Sequence, residues 1–147
     1  MRKIFLVFLG LFLTLFSVNA QEVSDHTIGL RFNQSTELGA EISYQKKMSA
    51  KNRFEVNVEL KNKFSDLKGT GLYQWIWNLE DQFNWYAGFG AGYESEYSTL
   101  FGAGVLGIEY HFKAPILISV EYRPEVALTR NYNGLGRNFA LAVRYQF

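Results

Sequence analysis

The sequence predicts an all-β fold, an eight-stranded antiparallel up-and-down transmembrane β-barrel. Three observations predict it: apolar and polar residues alternate from Thr27 to the C-terminus, 17% of residues are aromatic with 13 glycines but two prolines, and no apolar run after residue 20 approaches the length of a spanning helix. Alternation of this kind is typical of sheets with two chemically different faces. If such a chain crosses a membrane, it does so as a closed barrel, because only a closed sheet leaves no backbone edge unpaired.

The first 20 residues are predicted to be a cleaved signal peptide, which leaves 21–147 as the barrel domain. Arg2 and Lys3 precede an apolar run over residues 4–16, and residues 18–20 (Val-Asn-Ala) suit cleavage. The run is shorter than the roughly 20 residues that a membrane-spanning helix needs. The sequence has no cysteine, which excludes a lipoprotein anchor and a disulfide-stapled module.

The charge balance argues against a nucleic-acid partner. Without Arg2 and Lys3, 13 of the 15 basic residues remain against 14 acidic residues. The predicted mature chain is therefore nearly neutral, and no strongly acidic partner is implied.

Eight segments carry the alternation, and the connections between them differ in predicted length. The segments lie near 27–33, 37–46, 53–61, 71–79, 83–93, 100–112, 116–128 and 138–147. Compact joins are predicted at 47–52, 80–82 and 113–115, and longer ones at 62–70, 94–99 and 129–137, with the short join at 33–36 as an exception. Short periplasmic turns and longer external loops are the outer-membrane pattern. The fourth segment is the least regular, because Leu72 and Ile76 make its polar face half apolar.

The bulky apolar face is predicted to point outward. An eight-stranded barrel has an interior just wide enough for side chains or one small ligand, and three Trp with most of the Phe, Tyr, Leu and Ile would overfill it. The other face combines charges with glycine and alanine, and buried charges need partners. We therefore expect a polar network in the lumen, formed by Arg31, Glu41, Glu55, Glu59, Glu109, Glu121, Arg123 and Arg144. Carboxylates outnumber arginines in this set, so some are expected to stay hydrated or to take up a proton.

Aromatic residues near the short turns are predicted to form an interfacial girdle. Its members are Tyr44, Trp77, Trp85, Phe112 and Tyr145, together with Phe54, Phe83 and Phe147.

Two groups of basic residues are placed on connections. Lys46, Lys47, Lys51 and Arg53 are expected on a periplasmic turn, solvated or near lipid phosphates, and Lys61, Lys63 and Lys68 on an external loop, solvated or in contact with lipopolysaccharide.

No catalytic, cofactor or metal site is predicted. Residues 102–107 spell a dinucleotide-binding fingerprint, but they lie within a strand and no helix follows. His26 and His111 form no metal pair.

Two alternatives to a structural barrel remain open. One is a secreted, soluble lipocalin-like barrel that binds a small hydrophobic ligand. The other is a lipid A-modifying barrel enzyme that uses His111, Ser119 and Glu121. The spacing of these three residues and their predicted orientation toward the lumen do not favour catalysis on a lipid substrate.

The C-terminal third resembles a known family. Residues 139–147 alternate aromatics and end in Phe147, which resembles the C-terminal insertion signal of outer-membrane barrels, here carried by Phe139, Tyr145 and Phe147. Residues 104–112 and 118–125 resemble the last hairpins of small porin-like barrels of the OmpA-transmembrane and OmpX kind. This resemblance implies a monomeric barrel of the Gram-negative outer membrane with a packed polar lumen, serving envelope integrity or surface contact rather than bulk transport. The implied partners are outer-membrane lipid, lipopolysaccharide, periplasmic chaperones and the insertion machinery.

Overall fold

The chain folds into a closed barrel of eight antiparallel strands that pair in sequence order. A computed structural model describes residues 25–34, 38–129 and 135–147, so the predicted signal peptide lies outside the described residues. The strands are β1 (His26–Gln34), β2 (Leu38–Lys47), β3 (Asn52–Lys61), β4 (Asp66–Glu80), β5 (Phe83–Glu94), β6 (Thr99–His111), β7 (Ile116–Ala127) and β8 (Leu135–Gln146). This confirms the predicted fold class. The described residues contain no helix with the length and apolar character needed to cross a membrane.

The barrel closes between β1 and β8, where the pairing runs from Thr27 with Gln146 to Gln34 with Phe139. The strands are staggered. A path through paired residues begins at Ile28 and passes Tyr44, Val56, Gly71, Ala91, Gly102, Val126 and Leu135. In the β1–β8 ladder Ile28 pairs with Tyr145, which lies ten residues beyond Leu135, so the stagger around the barrel is ten residues. A stagger of this size in eight strands tilts them by about 40° from the barrel axis, as in other closed barrels.

The two faces of the wall differ as the alternation predicts. Polar and charged side chains point into the bore and are buried, among them Arg31, Glu55, Glu121 and Arg144. Large apolar side chains point outward and are exposed on every strand, including Leu30, Ile42, Val56, Trp77, Phe89, Ile108, Val120 and Leu141. The exterior is therefore an apolar belt around a polar interior, which is the inverse of a water-soluble protein.

Part of the bore is apolar, on the side of β4, β5 and β6. Leu72, Tyr86, Phe101, Ala103 and Val105 form one buried cluster, against which Ile76 packs. This cluster explains the irregular fourth segment, because Leu72 and Ile76 contact apolar residues of the neighbouring inner wall. Tyr86 and Phe101 were not predicted as interior residues. Both occupy inward positions in the alternation, but most of the Phe and Tyr side chains were expected on the outside because of their size.

Glycines on β5 allow a close approach of β4. A Cβ atom built on Gly88 would lie 2.1 Å from the Tyr73 carbonyl oxygen, and one on Gly90 would lie 1.8 Å from the Gly71 carbonyl oxygen. No described glycine has a positive φ. These glycines are therefore required by the proximity of the neighbouring backbone and not by their own backbone conformation.

The fully described connections are compact at both ends of the barrel, which corrects one prediction; the joins predicted at 33–36 and 129–137 lie partly outside the described residues. The joins at 48–51, 81–82 and 112–115 are short, as expected. The long loop predicted at 62–70 is wrong, because β4 begins at Asp66 and pairs with β3 from Lys61 onward. Gly69 and Thr70 fall within the predicted loop, but both lie in the β3–β4 ladder. Strands β3 and β4 therefore extend further toward the end of the barrel opposite the short turns than the sequence indicated.

Candidate functional site

The centre of the bore is an ion-pair network around Glu121. Arg31 Nε donates a hydrogen bond to Glu121 Oε1, and Arg31 Nη1 donates to Glu41 Oε1 at 2.7 Å. Arg123 Nη1 donates to Glu41 Oε2 at 3.1 Å, and its Nη2 lies 3.3 Å from Glu121 Oε1. The guanidinium groups of Arg31 and Arg123 are fully buried. Each thus shares carboxylates with the other, as buried charges require.

Glu55 is the second centre of the network. Its Oε1 accepts hydrogen bonds from Arg144 Nη2 at 3.2 Å and Arg123 Nη2 at 3.3 Å. Its Oε2 accepts from Gln45 at 2.6 Å and Gln74 at 2.8 Å. Both oxygens are therefore satisfied by charged or amide donors from four other strands.

Arg53 also belongs to this network, which corrects its predicted place on a solvated periplasmic turn. Its Nη1 donates to Glu109 Oε2 at 2.6 Å and its Nε donates to Gln74 Oε1 at 2.5 Å. Its guanidinium lies 4.4 Å from the centre of the Tyr86 ring, and the Tyr86 hydroxyl donates to Glu121 Oε2 at 2.5 Å. Arg53 occupies an inward position two residues before Glu55, so the alternation itself could have identified it.

Lys68 lies in the bore near the end of the barrel opposite the short turns, so its predicted place in an external loop is wrong. Its ammonium group is 2.6 Å from Glu125 Oε2 and 4.9 Å from the centre of the Phe101 ring. The reason is the early start of β4, which turns Lys68 inward beside Thr70. The neighbouring Lys61 instead pairs with Glu94 at 2.5 Å.

The structure brings together seven of the eight residues expected in the lumen network and leaves Glu59 apart. Glu59 is buried beside Gly39 and Asn33. No arginine among the described residues forms an ion pair with it. The addition of Arg53 and Lys68 to the bore nevertheless reduces the excess of carboxylates over cations that the sequence suggested.

The ion pairs connect strands that are not neighbours in the barrel wall. Arg31 of β1 reaches Glu121 of β7, Arg144 of β8 reaches Glu55 of β3, and Arg53 of β3 reaches Glu109 of β6. The ion pairs therefore link non-adjacent strands through the interior of the barrel.

Aromatic rings surround the barrel at the end that carries the short turns. Trp77 and Trp85 stack with ring centres 4.3 Å apart, Phe83 and Tyr110 lie 4.7 Å apart, and Tyr110 and Phe112 lie 4.8 Å apart. At the β1–β8 closure Tyr145 stacks on Phe147, His26 stacks on Phe147, and His26 Nδ1 lies 2.6 Å from the Tyr44 hydroxyl. His26 and Tyr110 are members of this group that were not predicted from the sequence.

His111, Ser119 and Glu121 do not form a catalytic triad. His111 Nε2 lies 2.9 Å from Glu109 Oε1, and its Nδ1 lies 3.2 Å from Gln146 Nε2. Ser119 is buried and its hydroxyl oxygen accepts a hydrogen bond from Arg144. The serine is therefore part of the structural network, with no histidine base bonded to it among the described residues.

Comparisons with known proteins agree with this architecture. No protein-family model and no curated protein matches the sequence. Among solved structures, the N-terminal β-barrel domain of Pseudomonas aeruginosa OprF is similar with a TM-score of 0.71 and 8% identity, over 86% of this chain and 100% of that one. A de novo designed transmembrane β-barrel is similar with a TM-score of 0.68 and 15% identity, over 88% of this chain and 100% of that one. The Yersinia pestis outer-membrane protein Ail, solved in a phospholipid bilayer nanodisc, has a TM-score of 0.56 and 11% identity, over 84% of this chain and 99% of that one. This chain therefore has the eight-stranded antiparallel barrel fold that these outer-membrane and designed transmembrane proteins share.

Proposed function

We propose that the protein is a small barrel of the Gram-negative outer membrane, exported by a cleaved signal peptide, with a structural or surface-contact role in the cell envelope. The observation that carries this proposal is the apolar belt on the outside of the wall. Phe89, Val120 and Phe139 are each 60% or more exposed, on three different strands. In water such a surface would aggregate, whereas in a bilayer it contacts acyl chains.

The dimensions of the barrel support membrane insertion. Its strands have 9 to 15 residues, and a tilted strand of about 9–11 residues crosses the hydrocarbon core of a bilayer. The aromatic rings near the short turns lie where an interfacial girdle belongs. The soluble lipocalin-like alternative is disfavoured because it needs an apolar interior, and the centre of this bore is occupied by ion pairs.

The ion pairs inside the bore support a structural role rather than transport. We expect the barrel, purified in detergent and added to a planar lipid bilayer, to give no steady ion conductance, because the buried side chains of Arg31, Arg123 and Arg144 occupy the bore and are held by carboxylates of non-adjacent strands. Current recordings at symmetrical salt check this, with a wide general porin as the positive control. Stable, long-lived open channels would contradict a closed lumen.

The partners that we propose are the surrounding lipid and lipopolysaccharide, together with periplasmic chaperones and the insertion machinery during assembly. Phe139, Tyr145 and Phe147 are proposed as the insertion signal. In the finished barrel Phe139 packs against Tyr122, and Phe147 stacks on His26. These contacts are compatible with a signal that acts before the barrel closes.

Fractionation of a Gram-negative cell that expresses the chain tests the proposal. We expect the mature protein to lack residues 1–20, to sediment with the outer membrane, to need detergent for release, and to migrate faster on a gel before boiling than after it. The compact barrel resists unfolding in the unboiled sample, which gives the mobility difference. Recovery in the soluble periplasmic or secreted fraction without detergent would contradict the membrane assignment and favour a soluble barrel.

A further inference from the structure

The turn between β3 and β4 presents an aromatic side chain on a strained backbone. Lys63 and Phe64 both have positive φ values, 55° and 72°. Turns of this backbone type in hairpins favour Asn-Gly, since most side chains are disfavoured there. Phe64 is 81% exposed, the highest exposure of the large apolar side chains that the structure describes. Lys63 and Phe64 are therefore poor residues for forming this turn, and their presence is better explained by the exposed aromatic side chain that the turn carries.

The neighbouring turn extends the same apolar surface. Tyr97 lies at the tip of the β5–β6 turn and is 48% exposed. The β5–β6 turn is hydrogen-bonded to the start of β4, since Ser95 N donates to Leu67 O at 2.9 Å and Leu67 N donates to Ser95 Oγ at 2.8 Å. Directly below them the outward side chains are apolar and exposed, namely Leu60, Leu67, Tyr93 and Leu100. On this sector exposed apolar side chains extend from the belt to the turns.

The charges at these turns nearly cancel. Lys61 and Glu94 form an ion pair at 2.5 Å, and the other charged residues at the turns are Lys63, Asp66 and Glu96, so the net charge is −1. A nearly neutral surface of Phe, Tyr and Leu does not suit a strongly charged partner. It suits the layer where acyl chains meet headgroups, in which aromatic rings are favoured and a lysine extends its ammonium group toward water.

We propose that the turns at 62–65 and 95–98 lie within the outer leaflet, and that Phe64 and Tyr97 anchor this sector of the barrel at the lipid interface. This inference rests on the proposed membrane location. The medium around these turns is lipid, because the turns are continuous with the lipid-facing belt, are short, and carry a small net charge. It places these two turns in the membrane rather than among surface-exposed contact loops.

Single-cysteine labelling tests the proposal, because the sequence has no cysteine of its own. Phe64→Cys would carry an environment-sensitive fluorophore in vesicles of phosphatidylcholine with or without brominated acyl chains. The matched references are Phe89→Cys in the middle of the belt and Ser49→Cys in the exposed β2–β3 turn. The compact gel band verifies that each labelled variant is folded.

We expect the label at 64 to be quenched by brominated lipid at least half as strongly as the label at 89, and several-fold less by aqueous iodide than the label at 49. Quenching by iodide with no response to brominated lipid would overturn the inference while a quenched label at 89 upholds the membrane barrel. A label at 64 that is open to iodide in vesicles but protected in native envelopes would also overturn it, in favour of a protein partner. If the label at 89 also ignores brominated lipid, the proposed membrane location fails as well.

Discussion

Replacement of Glu121 by Gln is expected to lower the free energy of unfolding by about 3 kcal/mol or more. Glu121 accepts hydrogen bonds from Arg31, Arg123 and Tyr86. The amide keeps the size of the side chain but removes the negative charge, and its NH₂ group meets donors. The buried guanidinium groups of Arg31 and Arg123 then have one carboxylate fewer between them. Removing one partner of a buried ion pair is strongly destabilising, because it leaves a charge without compensation.

Equilibrium unfolding in urea, with the barrel in detergent micelles or thin vesicles, measures this loss. Glu59→Gln is the matched control, because Glu59 is also a buried carboxylate of the bore but forms no ion pair with a described arginine. We expect the control to change stability by less than about 1 kcal/mol. Equal losses at the two positions would show that burial of the carboxylate matters and that the arginine network does not.

Much of the bore could be predicted from the alternation alone, because the side-chain period of a strand is two. Arg53, Lys68 and Tyr86 were missed for different physical reasons. Arg53 and Lys68 lie near predicted strand ends, where neighbouring lysines suggested solvent, although both keep the inward phase of their strands. Tyr86 was missed because ring size was taken as evidence for the outer face. Its space is provided by Gly107, where a Cβ atom would lie 2.4 Å from the tyrosine ring.

The partners within the network could not be predicted from sequence. Arg31 and Glu121 are 90 positions apart, and Arg144 and Glu55 are 89 apart. Which side chains share a level in the bore depends on the stagger of the closed barrel, and that stagger is the sum of all eight registers. Alternation gives the face of each residue but not its height. The position of β4 shows the same limit, since its first residues had no strong strand signal and are placed by pairing on both sides.

Gly90→Ala is expected to cost at least about 3 kcal/mol and to reduce the yield of assembled barrel. A Cβ atom at this position would lie 1.8 Å from the Gly71 carbonyl oxygen and 2.8 Å from the Leu72 Cα atom. Both obstacles are backbone atoms of β4, which cannot rotate away as a flexible side chain can. Relief requires β4 and β5 to separate, and that strains the ladder that holds the buried Leu72 and Tyr86 in place.

Gly69→Ala isolates this steric cause, because the two substitutions add the same methyl group to paired neighbouring strands. Nothing lies within 4 Å of a Cβ atom at Gly69, which faces outward. We expect this control to fold with an unchanged yield and a stability within about 0.5 kcal/mol of the natural chain. The measurement is the fraction of compact band after refolding into detergent, followed by urea unfolding. If Gly90→Ala folds as well as Gly69→Ala, the two strands can move apart at little cost, and close approach of β4 and β5 is not what selects glycine there. If only Gly90→Ala fails, the inner wall of the barrel requires a residue without a side chain at this position, whatever that residue's own backbone preference.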